Sequence, residues 1–340
     1  MSRAQVIKIF VAFAFAYFLS TLVRAITATL SPVLVDEFSL QARDLGLLAG
    51  GYFLGFAATQ LPMGRWLDAQ GPRKVLCTLL CMAALGCVTF SLANEFSHLW
   101  FARILTGVGV SACLMAPLTA FRRWWSPHIQ FRANSWMLMT GSLGMLASTL
   151  PVQWLLPQVG WRPIFLGVAL LNLCAIGWLW WQIPAWSQQR PSDQEPEPVQ
   201  GLWRSYAPIW RQPYFLRMAP LGFFVYGGMI AMQTLWVGPW LVQVSQYTPL
   251  QAATGLFWIN VAMLLTFWAW GWVAPALSRR GWSAERLIGW GLPLNLLVSA
   301  LLMGLGPHST ELSWILYFVS CSVVSLAQPS IGLSFPKHLA

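Results

Sequence analysis

Ten apolar runs of about 20 residues each follow one another along the chain, which leaves few folds open to it. They fall at residues 9–34, 45–67, 75–93, 99–120, 133–155, 163–183, 214–242, 251–277, 286–305 and 312–335. Only a helix satisfies every backbone N–H and C=O within one such segment when lipid is the solvent. The expected fold class is therefore all-α, a polytopic membrane helix bundle. Composition agrees: 57% of residues are hydrophobic and only 9% are charged, where a soluble domain carries about 25%. The 22 Trp suit the headgroup interface, which favours indole rings.

The net charge of +10 does not point to nucleic acid, because the Lys and Arg sit in short loops between apolar runs. With a cytoplasmic N-terminus, 16 of the 20 fall in cytoplasmic segments, the bias that sets membrane orientation. A multi-pass protein of a bacterial inner membrane is expected, acting as a monomer in the lipid bilayer. The first apolar run is longer than a signal core and leads into Ser31-Pro32 without a cleavage pattern, so it reads as the first span.

A Pro-rich polar stretch interrupts the pattern between Pro184 and Pro213. It cannot bury enough surface to fold and reads as a cytoplasmic linker. The expected organisation is a six-helix half over 1–183, the linker over 184–213 and a four-helix partial half over 214–340. Pro32 and Pro239 stand 207 residues apart, and Gly71 and Gly281 stand 210 apart. Two anchors agreeing within a short indel indicate a duplicated half. A six-plus-six protein would then need two more spans after Ala340, so the chain reads as C-terminally truncated.

Gly64-Arg65-Trp66-Leu67-Asp68-Ala69-Gln70-Gly71-Pro72-Arg73-Lys74 closely resembles the loop signature between helices 2 and 3 of the major facilitator superfamily. Arg103-Ile104-Leu105-Thr106-Gly107-Val108-Gly109 resembles the family's helix 4 pattern, and Gly160-Trp161-Arg162-Pro163-Ile164-Phe165 the start of its helix 6. In the loop, Gly64 is expected to admit another backbone and Gly71 to form a tight turn. Arg73 and Lys74 are expected to anchor the cytoplasmic face. The resemblance implies that Asp68 holds that face closed against a helix N-terminus; a topology anchor is the plainer reading.

Arg24 is the most informative single residue. It lies roughly 24 Å along the helix from Lys8 and 18 Å from Asp36, beyond easy reach of either interface. A guanidinium there costs at least about 2.5–3.5 kcal/mol unless it faces a cavity or a partner. Tyr17, Ser20, Arg24, Thr27 and Ser31 share one helical stripe, and the resemblance implies that helices 1, 4, 7 and 10 surround a central cavity. The pattern Tyr17…Arg24…Pro32 also resembles helix 1 of the organophosphate antiporters of that superfamily, where such an Arg binds phosphate. Those carriers place a second Arg in helix 7; the corresponding position here is Ala231. One Arg pairs bidentately with a carboxylate or phosphate, so a small monoanion is favoured. The competing reading ties Arg24 to backbone carbonyls.

Tyr226, Gln233 and Trp240 recur at seven-residue steps in span 7 and are expected to face the same substrate. Asn260, Asn295 and Gln328 are either ligands or interhelical glue. Arg103 reads as structural, coupling or substrate-contacting.

No Gly-rich Lys-Ser/Thr phosphate loop occurs, the four His lie between expected spans, and the six Cys lack metal-ligand spacing. No enzymatic activity, metal or cofactor is expected. The expected function is a secondary transporter working by alternating access, with a small organic anion (a carboxylate or phosphate ester) as its substrate. The alternatives are a multidrug or cation exporter of the same superfamily and a transport-inactive membrane fragment. No Asp or Glu lies deep in any span, which counts against the exporter.

Overall fold

The computed structural model describes residues 2–125, 127–185 and 210–327, and throughout these the secondary structure is helical. The helices are α1 (Arg3–Phe38), α2 (Ala42–Ser91), α3 (Phe96–Val110), α4 (Met115–Trp124), α5 (Pro127–Ala147), α6 (Leu150–Val159) and α7 (Trp161–Gln182). Then follow α8 (Pro213–Gln243), α9 (Pro249–Arg279), α10 (Ala284–Leu305) and α11 (Glu311–Cys321). The chain divides into two compact units, Met1–Gln189 and Arg190–Ala340. Most of the expected linker, and Gln328, lie outside the described residues.

Seven of the described helices are long and apolar enough to cross a membrane, against ten expected spans. The difference has local causes. α2 carries the second and third expected spans as one 50-residue helix bent at Gly71, whose φ of 79° and ψ of 162° are non-helical. Glycine takes that conformation without a Cβ clash, and Pro72 pre-sets the next helical turn. The fifth span is split into α5 and α6 at Ser148–Thr149, just before Pro151. A backbone group freed inside a membrane needs a partner, and Thr29 Oγ1 donates to the Ser148 carbonyl at 2.7 Å. The fourth span is one of the seven, Phe96–Trp124, although a turn separates α3 from α4, where Gln60 Nε2 reaches the Ser111 carbonyl at 3.4 Å. The tenth expected span runs past the last described residue, Ala327, and its described part is helical over Glu311–Leu326. His98 lies in the first turn of α3 and His128 in the first turn of α5, not between helices as the sequence suggested.

Glycine sets the tightest packing. A Cβ on Gly107 of α3 would stand 2.0 Å from the Tyr52 carbonyl oxygen of α2, and one on Gly55 of α2 would stand 2.3 Å from the Ile104 carbonyl. On the second arm of α2, a Cβ on Gly109 would meet Ala83 N at 2.2 Å. α3 is thus wedged against both arms of α2, the close approach that small residues permit between membrane helices. Gly64 does not take part: it is exposed, with open space where a Cβ would be. The close approach expected of it is made at Gly55 and Gly107 instead.

One end of the first unit is tied by Glu37. Its carboxylate accepts from Trp161 Nε1 at 2.7 Å and from Arg162 Nη1, while Arg162 Nη2 donates to the Ala93 carbonyl at 2.9 Å. This joins α1, α7 and the end of α2. Both ion-pair side chains are more than a third exposed, so solvent screens the pair. Glu37→Gln is expected to cost about 1 kcal/mol, read as a small drop in thermal midpoint that shrinks at high salt.

Candidate functional site

α1 is enclosed along its middle. From Leu19 to Ser31 every residue is buried except Arg24, which is half-buried. Buried hydroxyls flank it on the same stripe: Ser20 and Ser31 are each 1% exposed, as is Thr27. A helix of 3.6 residues per turn stacks these positions on one face. Arg24 thus lies on a stripe of small polar side chains.

Arg103 of α3 comes to the same turn of α1. Its Nη1 donates to the Val23 carbonyl at 2.9 Å and its Nη2 to the Arg24 carbonyl at 3.5 Å. Its guanidinium carbon lies 4.7 Å from the ring centroid of Tyr52 in α2. At 1% exposure, Arg103 is a clamp between helices, bonded to backbone carbonyls of α1. The Tyr52 phenol lies within electrostatic range of both Arg24 and Arg103 and beside Ser20; Cys113 lies beside Ser20 and within range of Arg24.

Two hydroxyls in this cluster, Thr27 Oγ1 and Tyr52 Oη, are buried and make no hydrogen bond of normal length among the described residues. A buried polar group without a partner costs about 1–3 kcal/mol, which a ligand oxygen would relieve. Two guanidinia and several hydroxyls, with no Asp or Glu in α1 between Lys8 and Asp36, make a donor-rich environment. It suits an anion bearing oxygen acceptors and repels a cation.

Not every expected residue belongs to this cluster. Tyr17 is 8% exposed and packs on Gly141 of α5, where a Cβ would lie 2.5 Å from its ring; it is a core side chain. In the second unit, Gln233 Nε2 donates to Asn260 Oδ1 at 2.9 Å and Asn260 Nδ2 to the Leu256 carbonyl. Trp240 Nε1 donates to Ser309 Oγ at 2.7 Å, and Asn295 Nδ2 to Ser320 Oγ at 3.0 Å. These side chains join helices within their unit. Tyr226 ends a π-helical stretch, Leu221–Tyr226, and Gln233 lies in a second, Met232–Trp236. Bonding from i to i+5 winds more residues into each turn, so the two seven-residue steps from Tyr226 to Trp240 do not keep one face. Asp68 and Lys74 are exposed near the bend at Gly71.

Sequence reasoning passed over Tyr52. Its signal was present: Gly51 and Gly55 in α2 are spaced like Arg103 and Gly107 in α3, and two such pairs in close approach bring Arg103 onto Tyr52.

The family model of the Major Facilitator Superfamily matches residues 13–339. The probable L-galactonate transporter of Escherichia coli strain K12 is 24% identical over 165 residues, 48% of this chain and 36% of that protein. The multidrug resistance protein MdtH of Yersinia pestis strain Pestoides F is 27% identical over 298 residues, 87% of this chain and 70% of that protein. The chain thus spans little more than a third of the galactonate relative's length. Among solved structures, a bacterial homolog of the human lysosomal transporter Spinster, inward-facing and unoccupied, superposes with a TM-score of 0.76. It is 18% identical, and the match covers 97% of this chain and 76% of that one. This last likeness shows the fold.

Proposed function

Since the chain belongs to the Major Facilitator Superfamily, we propose that it is a secondary transporter for a small organic anion, a carboxylate or phosphate ester, held by Arg24. Transport proceeds by alternating access, with the N-terminus on the cytoplasmic side of a bacterial inner membrane. The halves are residues 1–183 and 214–340, joined by the linker 184–213, and the protein acts as a monomer. One observation carries the substrate class: Arg24 alone is not buried between Leu19 and Ser31, amid hydroxyls and beside the Arg103 clamp. The galactonate relative supports a carboxylate.

The MdtH relative, matched over 87% of this chain, favours a second reading, export of lipophilic cations. Ligand-induced thermal stabilisation of the detergent-purified protein separates the two. Monocarboxylates or phosphate esters are expected to raise the midpoint, and Arg24→Ala is expected to lose at least 100-fold in affinity, since a bidentate charge-assisted pair is worth about 3–6 kcal/mol. Stabilisation by lipophilic cations, unchanged in Arg24→Ala, would reject the anion reading.

Tyr52→Phe gives a finer test. Among the described residues its hydroxyl makes no hydrogen bond of normal length, so the unliganded protein is expected to be as stable as wild type or up to about 1–3 kcal/mol more stable. If the phenol meets the substrate, affinity falls about tenfold, one hydrogen bond's worth. An equal loss of stability and affinity would make Tyr52 purely structural.

A further inference from the structure

A cavity of about 260 Å³ lies at the other end of the first unit, lined by Gln5, Ile9, Arg73, Trp181, Gln182, Ile183 and Pro184. These come from the start of α1, the start of the second arm of α2 and the end of α7. Arg73 is fixed from two sides. Its Nη1 donates to the Ile183 carbonyl at 3.2 Å, and its guanidinium carbon stands 4.5 Å from the Trp180 ring centroid. Five N–H donors are available to a guanidinium, and one is spent on Ile183. Among the described residues Arg73 makes no ion pair.

A held cation with spare donors, beside the amides of Gln5 and Gln182, is complementary to a phosphate. The rest of the lining is apolar, and Trp181 is 83% exposed while Trp180 is 53% exposed. In a membrane protein such indoles belong at headgroup level, where basic pockets between helices take phospholipid heads. A soluble phosphate ester would gain nothing from the exposed indoles, whereas a lipid would cover them with its glycerol and upper acyl carbons. We infer that the Arg73 cavity is a headgroup site for an anionic phospholipid, separate from the Arg24 site.

The test uses the full chain, stripped of lipid in zwitterionic detergent and titrated with short-chain phosphatidylglycerol, phosphatidylcholine or glycerol 3-phosphate. Binding is read by native mass spectrometry. Phosphatidylglycerol is expected to bind about tenfold more tightly than phosphatidylcholine. Arg73→Gln is expected to abolish that preference. Arg43→Gln, which removes an exposed charge at the far end of α2, is expected to retain it. Equal loss in both variants would replace the site with diffuse charge attraction. Glycerol 3-phosphate bound as tightly as the lipid, and lost in Arg73→Gln, would assign the cavity to a soluble ester. Should Arg73→Gln not fold, Gln182→Ala removes a lining side chain with no bond among the described residues; it is expected to weaken phosphatidylglycerol about threefold, and an unchanged affinity would overturn the site.

Discussion

Gly107→Ala is expected to destabilise the protein by about 3 kcal/mol or more, the upper end of what overpacking costs, and Gly107→Val to abolish a monodisperse product. The added Cβ would stand 2.0 Å from the Tyr52 carbonyl oxygen, a backbone atom that cannot rotate away. α3 would have to leave α2, and with it would go the contact between Arg103 and the Tyr52 ring. Gly64→Ala is the control with the opposite sign. Nothing lies within 4 Å of its added Cβ and it sits within helix α2, so the better helix propensity of Ala is expected to add about 0.5–1 kcal/mol. Thermal midpoints and size-exclusion profiles of the two variants decide the matter. Equal effects would mean that α2 and α3 do not cross this closely in the folded protein.

The same glycines show how much was legible in the sequence. Gly71 and Gly281, aligned as anchors of the loops after spans 2 and 8, both take positive φ, 79° and 83°, the backbone that the tight turn expected of Gly71 requires. Arg24 was legible because a charge far from either interface must be accommodated. What escaped were pairings made across helices. Gln233 and Asn260 are 27 residues apart, and nothing local says that one amide will occupy the other. Span 7 was read as an ideal α-helix, and its π-helical turns move Gln233 and Trp240 off the face that Tyr226 begins. The burial of Tyr17 was hidden for a related reason: a helical stripe tells which residues share a face, but Gly141, on another helix, decides that this ring is covered.

Arg103 offers the sharper test, because its charge and its shape predict different rankings. Its two carbonyl bonds are each worth about 1.5–3 kcal/mol, and the desolvated stack on Tyr52 adds about 2 kcal/mol. Against this stands the cost of a guanidinium in the membrane, about 2.5–3.5 kcal/mol or more. The balance favours Arg by a few kcal/mol, so Arg103→Met, which fills much of the volume without charge, is expected to lower stability by about 2–4 kcal/mol. Arg103→Lys is expected to do worse than Met. Lysine keeps a buried charge but presents a point rather than a fork, and cannot serve the Val23 and Arg24 carbonyls while stacking on Tyr52. Those carbonyls lie inside α1 and have helical N–H donors of their own, so the Met variant leaves no acceptor orphaned. The expected order of thermal midpoints is therefore wild type, then Met, then Lys. Lys ranking above Met would mean that positive charge at this turn of α1 matters more than the fork geometry, and would bring Arg103 itself into the anion site beside Arg24.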